Sequence, residues 1–230
     1  MAKPTNELTP MQRQYNEIKE ANQDCILFFR LGDFYEMFNE DAKLAARELD
    51  LTLTTRDRGK PKELQTPMCG VPFHSVDSYI ARLVAKGYKV AICEQTEDPA
   101  TAKGLVSRDI TRIVTPGTVT ESCMLDESKN NYMACLYGDG SRFGLAFCDV
   151  STGELVTTEG DYDIVENQLI NTLACFKPAE IIINDSAAKH NKIFGELKSR
   201  FDFCENYLPN TYFDFESSKE RVYQSFKSLA

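Results

Sequence analysis

The stretch that most restricts the fold is an apolar, Phe-rich run that a two-residue turn signal divides in two. Residues 27–31 and 34–38 are the two halves, and Gly32-Asp33 lies between them. Short apolar runs separated by such a pair are typical of two β-strands joined by a tight turn. The sequence therefore predicts a β-hairpin over residues 27–38.

The hairpin prediction determines which side chains share a surface. Successive side chains of a strand point to opposite faces, so Phe34 and Glu36 are expected on one face and Tyr35 and Met37 on the other. In a helix, Phe34 and Glu36 would point almost oppositely. On spacing alone, an edge strand with Phe34 in the core and Glu36 in solvent is the simpler alternative, because Phe is usually buried and Glu usually exposed.

Composition bounds the class of protein. A chain of 230 residues suits two modest domains, and 42% hydrophobic with 27% charged residues is ordinary for a globular protein with a real core. The apolar runs are too short to span a bilayer, and the first residues lack a signal-peptide core. We expect a cytoplasmic location and no membrane partner.

The eight cysteines do not form a recognisable metal or disulfide pattern. There is no Cys-x-x-Cys, and neither His lies at metal-ligand spacing from a Cys. Several, such as Cys93 and Cys148, lie in apolar strands, where Cys behaves as a small hydrophobe. Reduced, structural thiols and no metal site are expected.

Charge divides the chain into two unlike halves. The net charge of −9 argues at first against a nucleic-acid partner, but residues 1–120 hold 16 basic and 17 acidic side chains, whereas the remainder holds 10 and 18. The acidity thus belongs to the second half, and the halves are expected to have different partners.

The first 118 residues predict an α/β unit. Thr9-Pro10 opens a helix as N-cap and first position, and Asn39 is expected to cap a second helix with a small-residue face. Ser75 is expected to cap a third helix that ends at Gly87. Strands are predicted at residues 51–54, 88–93 and 110–115, with a constrained turn at residues 67–74.

A basic loop, residues 55–66, follows the strand predicted at residues 51–54. Its cations are Arg56, Arg58, Lys60 and Lys62. Such a loop is usually only solvated, but cations at alternate positions of an extended segment also suit a phosphate backbone. The sequence leaves both interpretations open.

Residues 119–131 are polar and acidic and predict a linker. Beyond them the pattern predicts three antiparallel strands and then alternating helices and strands, which indicates a mixed sheet with helices on its faces. The predicted strands are residues 132–137, 143–150, 154–157, 180–184 and 201–204, and the predicted helices are residues 164–176, 187–200 and 217–230. The last helix has no C-cap, so we expect a chain cut from a larger protein.

Motifs for catalysis are scarce. The sequence contains no phosphate-binding Gly-x-x-x-x-Gly-Lys-Ser/Thr and no Gly-x-Ser-x-Gly nucleophile elbow. Asp149, at a strand end, is the one enzymatic candidate, since sheet-borne carboxylates can hold Mg²⁺ in nucleases and phosphotransferases. The alternative is that Asp149 and Ser151 only shape a turn, and Glu180 and Asp185 do not obviously converge with them.

Five ordered blocks resemble the bacterial MutS family of DNA mismatch-repair proteins. They are residues 32–38 (Gly-Asp-Phe-Tyr-Glu-Met-Phe), 67–74 (Pro-Met-Cys-Gly-Val-Pro-Phe-His), 90–95 (Val-Ala-Ile-Cys-Glu-Gln), 98–101 (Asp-Pro-Ala-Thr) and 112–118 (Arg-Ile-Val-Thr-Pro-Gly-Thr). The resemblance implies an α/β mismatch-recognition domain at residues 1–118 and an incomplete, RNase H-like α/β connector domain at residues 132–230.

The resemblance also implies roles for residues. Phe34 would stack on a mispaired base from the minor groove, and Glu36 would hydrogen-bond that base. With the local charge, it implies DNA-backbone contacts by Arg56, Arg58, Met68, His74, Ser75 and Arg108.

What the family implies beyond this chain concerns the longer protein. ATP and Mg²⁺ would bind an ATPase domain whose P-loop is absent here, so this chain is expected to be a DNA-binding module and not an enzyme. Its partners would be duplex DNA with mismatches or small loops, a second copy of the longer protein, and downstream repair proteins that bind the connector.

Two alternatives are weighed against this interpretation. One is a metal-dependent, RNase H-like nuclease or phosphotransferase that uses Asp149. The other is a MutS paralogue that serves recombination, against which the intact pair of Phe34 and Glu36 argues.

Overall fold

A computed structural model describes residues 8–59, 61, 65–97, 104–126, 128–189, 199 and 201–227. The chain forms two units, Met1–Thr115 and Pro116–Ala230. Lys60, Lys62, His190, the block at residues 98–101 and most of the helix predicted at residues 187–200 lie outside the described residues. Both units are mixed α/β structures, which confirms the predicted fold class.

Within the residues that the structure describes, the first unit has one six-stranded sheet and three α-helices. Its elements are α1 (Pro10–Ala21), β1 (Cys25–Leu31), β2 (Phe34–Phe38), α2 (Asn39–Leu49), β3 (Thr54–Thr55), β4 (Pro67–Pro72), α3 (Val76–Val84), β5 (Lys89–Gln95) and β6 (Arg108–Val114). The strand order is β3-β4-β2-β1-β5-β6. Only β1 and β5 pair in parallel, and the other neighbours are antiparallel.

Helix α1 begins where the sequence predicted. The Thr9 Oγ1 accepts a hydrogen bond from the Gln12 amide at 3.3 Å, and the Gln12 Oε1 accepts one from the Thr9 amide at 3.0 Å. This reciprocal pair satisfies donors that the first helical turn leaves unpaired. The helix buries Tyr15, whose ring packs edge-on against Phe29 at 5.4 Å and Phe38 at 4.9 Å.

Different helices cover the two faces of the sheet. Cys69 and Met37 lie opposite each other on one face, and there the Cys69 Sγ contacts the Ala42 carbonyl oxygen of α2 at 3.4 Å. On the other face, Tyr15 of α1 contacts Phe38. Since β2 side chains alternate, Phe34 and Glu36 share the face of Phe38.

Two predictions about the start of the second helix and the strand after it are wrong. Asn39 does not cap α2: it is the first helical residue, with φ of 55°, and Phe38 precedes it in an extended conformation without a side-chain cap bond. Of the strand predicted at residues 51–54, only Thr54 pairs in the sheet, as part of β3.

The segment predicted as a constrained turn is in fact strand β4. It pairs with β2, and Phe34 lies opposite Pro72. A 3₁₀ turn, Phe73–Ser75, follows, and the Ser75 side chain does not cap α3: its Oγ donates to the Pro72 carbonyl oxygen at 3.3 Å. In α3, Ile80 is buried and the neighbouring Tyr79 is half-buried.

The described part of the second unit is built on a five-stranded mixed sheet. Its described elements are β7 (Tyr132–Gly138), β8 (Arg142–Asp149), β9 (Glu154–Asp161), α4 (Tyr162–Phe176), β10 (Glu180–Asn184), β11 (Cys204–Leu208) and α5 (Phe215–Lys227). The order is β11-β10-β7-β8-β9, with β7, β8 and β9 antiparallel and β10 parallel to β7 and β11. The predicted mixed sheet is confirmed, but β11 lies at 204–208 instead of 201–204.

The segment that precedes β7 belongs to this second unit. The Gly117 amide donates to the buried Glu180 carboxylate at 2.9 Å, and the Asn131 side chain donates to the Pro116 carbonyl oxygen at 2.8 Å. A Cβ on Gly117 would lie 2.9 Å from both Glu180 and Met133, so only glycine fits there. The domain boundaries at residues 118 and 132 stay predictions.

None of the helices within the described ranges is long and apolar enough to cross a membrane.

Candidate nucleic-acid interface

Phe34 stands at the solvent side of the hairpin. Gly32 occupies the left-handed region at φ of 58°, which glycine adopts without strain, and the turn places Leu31 opposite Phe34. The Phe34 side chain is 48% exposed, whereas Tyr35 is 4% and Met37 0% exposed. The predicted alternation is present, but β2 is an inner strand and Phe34 is not in the core.

Glu36 lies beside Phe34 on the same face and is half-buried. Its neighbours across the sheet are Phe29 of β1 and Gly70 of β4. A Cβ on Gly70 would lie 3.2 Å from the Tyr35 carbonyl oxygen and 3.5 Å from the Glu36 Cγ. The first distance is tighter than usual and the second is ordinary van der Waals contact, so a side chain at position 70 would press on the β2 backbone and only touch the Glu36 side chain.

Arg56 reaches the same carboxylate from the segment after β3. Its Nη1 is 3.4 Å from the Glu36 Oε2, and its side chain stays 45% exposed. Burial raises the pKa of Glu36, and the charge of Arg56 offsets only part of that rise. The result is a carboxylate that holds its proton more readily than an ordinary Glu.

Arg58 follows Arg56 by two residues on the same segment and is also exposed. Its Nη2 donates to the Thr54 Oγ1 at 3.2 Å, so the two arginines are held differently: Arg56 by a carboxylate, Arg58 by a hydroxyl. Lys60 and Lys62, the other cations of the predicted basic loop, are outside the described residues.

Met68, His74 and Ser75 are placed differently from one another. Met68 lies opposite Phe38 and packs against the cluster around Tyr15. His74 is exposed beside Phe73, with ring centroids 5.9 Å apart. The Ser75 hydroxyl donates its hydrogen to the Pro72 carbonyl oxygen, as described above.

Arg108 is held by the protein more firmly than a surface cation. Its Nε donates to the Arg30 carbonyl oxygen at 2.7 Å, and its Nη1 donates to Gln14 Oε1 at 3.0 Å and the Val106 carbonyl oxygen at 2.9 Å. The guanidinium also lies 5.0 Å from the centre of the Phe29 ring. These contacts tie β6 to β1 and α1.

Sequence reasoning missed two residues that contact the hairpin turn, Arg30 and Phe73. The Arg30 Nε donates to the Gly32 carbonyl oxygen, and the Phe73 amide donates to that of Asp33. Strand alternation could have identified Arg30. It predicts Tyr35 on the sheet face away from Phe34, and Arg30 pairs with Tyr35 across the hairpin, so the two lie on the same face.

Both carboxylate oxygens of Asp149 already accept hydrogen bonds, mostly from the turn that follows β8. Its Oδ1 accepts from the Ser151 amide at 2.8 Å, the Ser151 hydroxyl at 2.6 Å and the Thr152 amide at 3.3 Å, and its Oδ2 accepts from the Asn131 amide at 3.1 Å. Burial raises the pKa of Asp149, but these donors outweigh it and the net shift is downward. This arrangement fits the turn-shaping alternative.

The described part of the chain contains no group of three or more His, Cys, Asp or Glu side chains that could hold a metal ion. Glu180, which the metal hypothesis would need nearby, instead accepts from Gly117 and from the Asn206 side chain.

Comparison with known proteins identifies the relatives of both units. The family model described as MutS domain I matches residues 9–123, and that described as MutS domain II matches residues 131–230. The chain belongs to the MutS family. Its two units are thus the first two domains of MutS, and the resemblance drawn from the sequence blocks is confirmed.

Curated MutS relatives are similar over almost the whole chain. The DNA mismatch repair protein MutS of Acetivibrio thermocellus is 54% identical over 96% of this chain, and that of Ruminiclostridium cellulolyticum is 51% identical over 96%. The Clostridium perfringens protein of the same name is 58% identical over 78% of the chain. The chain spans about a quarter of the length of the first two, 25% in each case.

Proposed function

We propose that the first unit binds duplex DNA at a mismatched or unpaired base, with Phe34 as a wedge in the minor groove and Glu36 as a hydrogen-bonding partner of the displaced base. The observation that carries the proposal is the pair itself: an aromatic ring 48% exposed at a tight turn, beside a half-buried carboxylate on the same face. Membership of the MutS family supports it.

The energetics of a wedge explain how a mismatch is distinguished. Inserting an apolar ring into a base step unstacks it at a cost of about a few kcal/mol and kinks the duplex. Stacking of an aromatic side chain on a base returns roughly 1–3 kcal/mol. Because a mismatched base costs less to unstack and unpair than a paired one, the difference decides binding. The protein then reads deformability instead of sequence.

Glu36 adds discrimination through its charge. A carboxylate near phosphates weakens binding to every duplex, so only a base that offers a compensating hydrogen bond holds the protein well. Glu36 accepts from a base N–H when ionised and donates to a ring nitrogen when protonated. Its raised pKa in the free chain supports protonation in the complex, where the phosphates raise it further.

The rest of the face supplies contacts to the DNA backbone. Arg56, which is paired with Glu36, and Arg58 are exposed cations that suit phosphate oxygens. Met68, His74, Ser75 and Arg108 complete the set that the family implies. Among these, the exposed His74 is the best placed. Arg108, held by three protein acceptors, acts mainly by fixing the sheet beneath the face.

We place the remaining functions in the longer protein. ATP and Mg²⁺ binding, self-dimerisation and a cytoplasmic location are carried over from the family, and this chain supplies the DNA-binding step without catalysis of its own. Because phosphates repel acidic side chains, we expect the acidic second unit to make no DNA contacts and to offer its surface to downstream repair proteins.

Fluorescence anisotropy tests the proposal. The chain is titrated at low salt, since its isolated affinity is expected to be weak, onto G·T, unpaired-T and fully paired duplexes. We expect tighter binding to the first two and loss of that preference in Phe34→Ala. Phe215→Ala, which removes another exposed Phe in the second unit, is the matched control and should change nothing. Equal affinity for all three duplexes, unchanged by Phe34→Ala, would exclude the proposal.

A further inference from the structure

Arg30 contacts the hairpin turn from the side opposite to Phe34. It pairs with Tyr35 across the hairpin, so its side chain leaves the sheet on the Tyr35 face. Its guanidinium lies 4.0 Å from the centre of the Phe73 ring and 5.4 Å from that of Tyr35. Such cation–π geometry attracts a planar guanidinium to both rings.

Both carbonyl groups of the turn are bound by this arrangement. The Arg30 Nε donates to the Gly32 carbonyl oxygen at 2.6 Å, and the Phe73 amide donates to the Asp33 carbonyl oxygen at 2.9 Å. Phe73 in turn stacks on Arg30. The two residues that precede Phe34 are therefore held by a single connected set of contacts.

Glu94 of β5 connects the same set to the centre of the sheet. Its carboxylate accepts a hydrogen bond from the Tyr35 hydroxyl and lies 3.8 Å from the Arg30 Nη1. Burial, followed by the Glu94 contact, raises the pKa of Tyr35 to about 12, so the hydroxyl stays a donor at physiological pH. The backbone on each side of Phe34 is thus anchored, through Arg30 at the turn and through Tyr35 after it.

We propose that Arg30, stacked on Phe73, is a positioning residue that stiffens the turn and so sets how well Phe34 discriminates a mismatch from paired DNA. The proposal rests on the DNA-binding function proposed above. The turn that carries the Phe34 ring must stay rigid when the ring separates two bases. If the turn deforms on contact, the free energy of that deformation offsets part of the free energy gained by stacking. Side chains that work in this way need supporting contacts that lock them.

A double-mutant cycle tests Arg30 through Phe34. The ratio of affinities for unpaired-T and fully paired duplexes is measured for the parent chain, Arg30→Met, Phe34→Ala and the double variant. Losing one charge weakens binding to both duplexes, which the ratio cancels. We expect Arg30→Met to lower the ratio about threefold to tenfold, the size of one lost stacking or hydrogen-bonding interaction, and to have no further effect in the Phe34→Ala background.

Amide hydrogen exchange supplies a second readout that needs no DNA. The Phe73 amide, bonded to Asp33, should exchange at least about threefold faster in Arg30→Met. Phe73→Leu, a substitution at a partly exposed side chain, removes the stack while leaving Arg30 in place and should lower the ratio in the same direction. Arg47→Met is the matched control and should leave the ratio and the exchange rate unchanged, because Arg47, exposed on α2 and paired with Glu48, carries the same charge and its described contacts do not include the turn.

The outcomes separate the two proposals. If Phe34→Ala alone leaves the ratio unchanged, the wedge function is wrong and the role of Arg30 falls with it. If Phe34→Ala lowers the ratio but Arg30→Met does not, only the Arg30 proposal is overturned. The same holds if Arg30→Met lowers the ratio equally in the Phe34→Ala background, or if the Phe73 amide exchanges at the parent rate.

Discussion

Two carboxylates, one in each unit, have opposite surroundings. Glu36 in the first unit is half-buried, and Asp149 in the second is fully buried. Asp149 accepts four hydrogen bonds from Asn131, Ser151 and Thr152, and its pKa is lowered. The one hydrogen bond described for Glu36 comes from the exposed Arg56, and the pKa of Glu36 is raised. Burial disfavours the charge of both, but only Asp149 has enough donors to reverse the effect.

The difference separates a structural acid from one available to a ligand. A carboxylate whose oxygens are occupied by backbone amides stabilises a turn and has little left to offer. A carboxylate on an open face, beside a glycine and an exposed aromatic ring, keeps acceptor capacity, and its pKa is raised. The sequence made both acids candidate functional residues. Their hydrogen-bond partners in the structure favour Glu36.

The largest expected effect is on stability. Asp149→Ala should lower the free energy of unfolding by about 2–4 kcal/mol, because it removes a buried carboxylate that accepts four part-buried hydrogen bonds from Asn131, Ser151 and Thr152. Glu36→Ala should change it by less than about 1 kcal/mol, as substitutions at open sites do. Urea denaturation followed by circular dichroism measures both. Equal losses for the two variants would remove the distinction.

The next effect concerns DNA. If Glu36 donates a proton to the displaced base, the affinity of the parent chain for a mismatch should fall as pH rises through the raised pKa, by about tenfold for each unit of pKa difference between free and bound states. Glu36→Gln, which cannot titrate, should lose this dependence. Anisotropy titrations across that pH range decide the matter: the same pH dependence in both proteins contradicts a protonated Glu36.

A smaller effect tests what limits the Glu36 pKa. Arg56→Gln removes the charge that opposes the rise, so the midpoint of the pH profile should move upward by about half a unit to one unit, as for other partly exposed ion pairs. Arg58→Gln is the control, because the Arg58 side chain is bonded to Thr54 and not to Glu36. It should leave the midpoint of the pH profile unchanged. Equal shifts would mean that general charge, not the pair, sets the pKa.

The smallest effect is the opposite pH response of stability. The folded pKa of Asp149 lies below its unfolded value, so its stabilisation is present at neutral pH and is lost as pH falls through the folded pKa. The folded pKa of Glu36 lies above its unfolded value, so ionised Glu36 costs stability at neutral pH and acid relieves that cost. At neutral pH, Asp149→Asn should have a lower free energy of unfolding than the parent, and Glu36→Gln a slightly higher one. Both differences from the parent should become smaller in acid. Urea midpoints at neutral and acidic pH would show whether either sign is reversed.

Local patterns predicted those elements whose signals lie within a few residues. The cap at Thr9, the hairpin around Gly32 and strand β10 are present where expected. Strand β4 was missed because Pro67 and Pro72 read as turn residues, yet both lie at the strand's ends, where a missing amide disturbs the ladder least. Asn39 failed as a cap because the chain passes directly from β2 into α2.

The sequence by itself determined that Phe34 and Glu36 share a face, because the two-residue period of a strand is a local property. It also determined the family, through ordered blocks of residues. Only the tertiary structure decided which part of that face is covered: Phe38 is buried beneath Tyr15, while Phe34, four residues earlier on the same face, is 48% exposed. Burial depends on what packs against a side chain, and here that partner comes from α1, far from β2 in the chain.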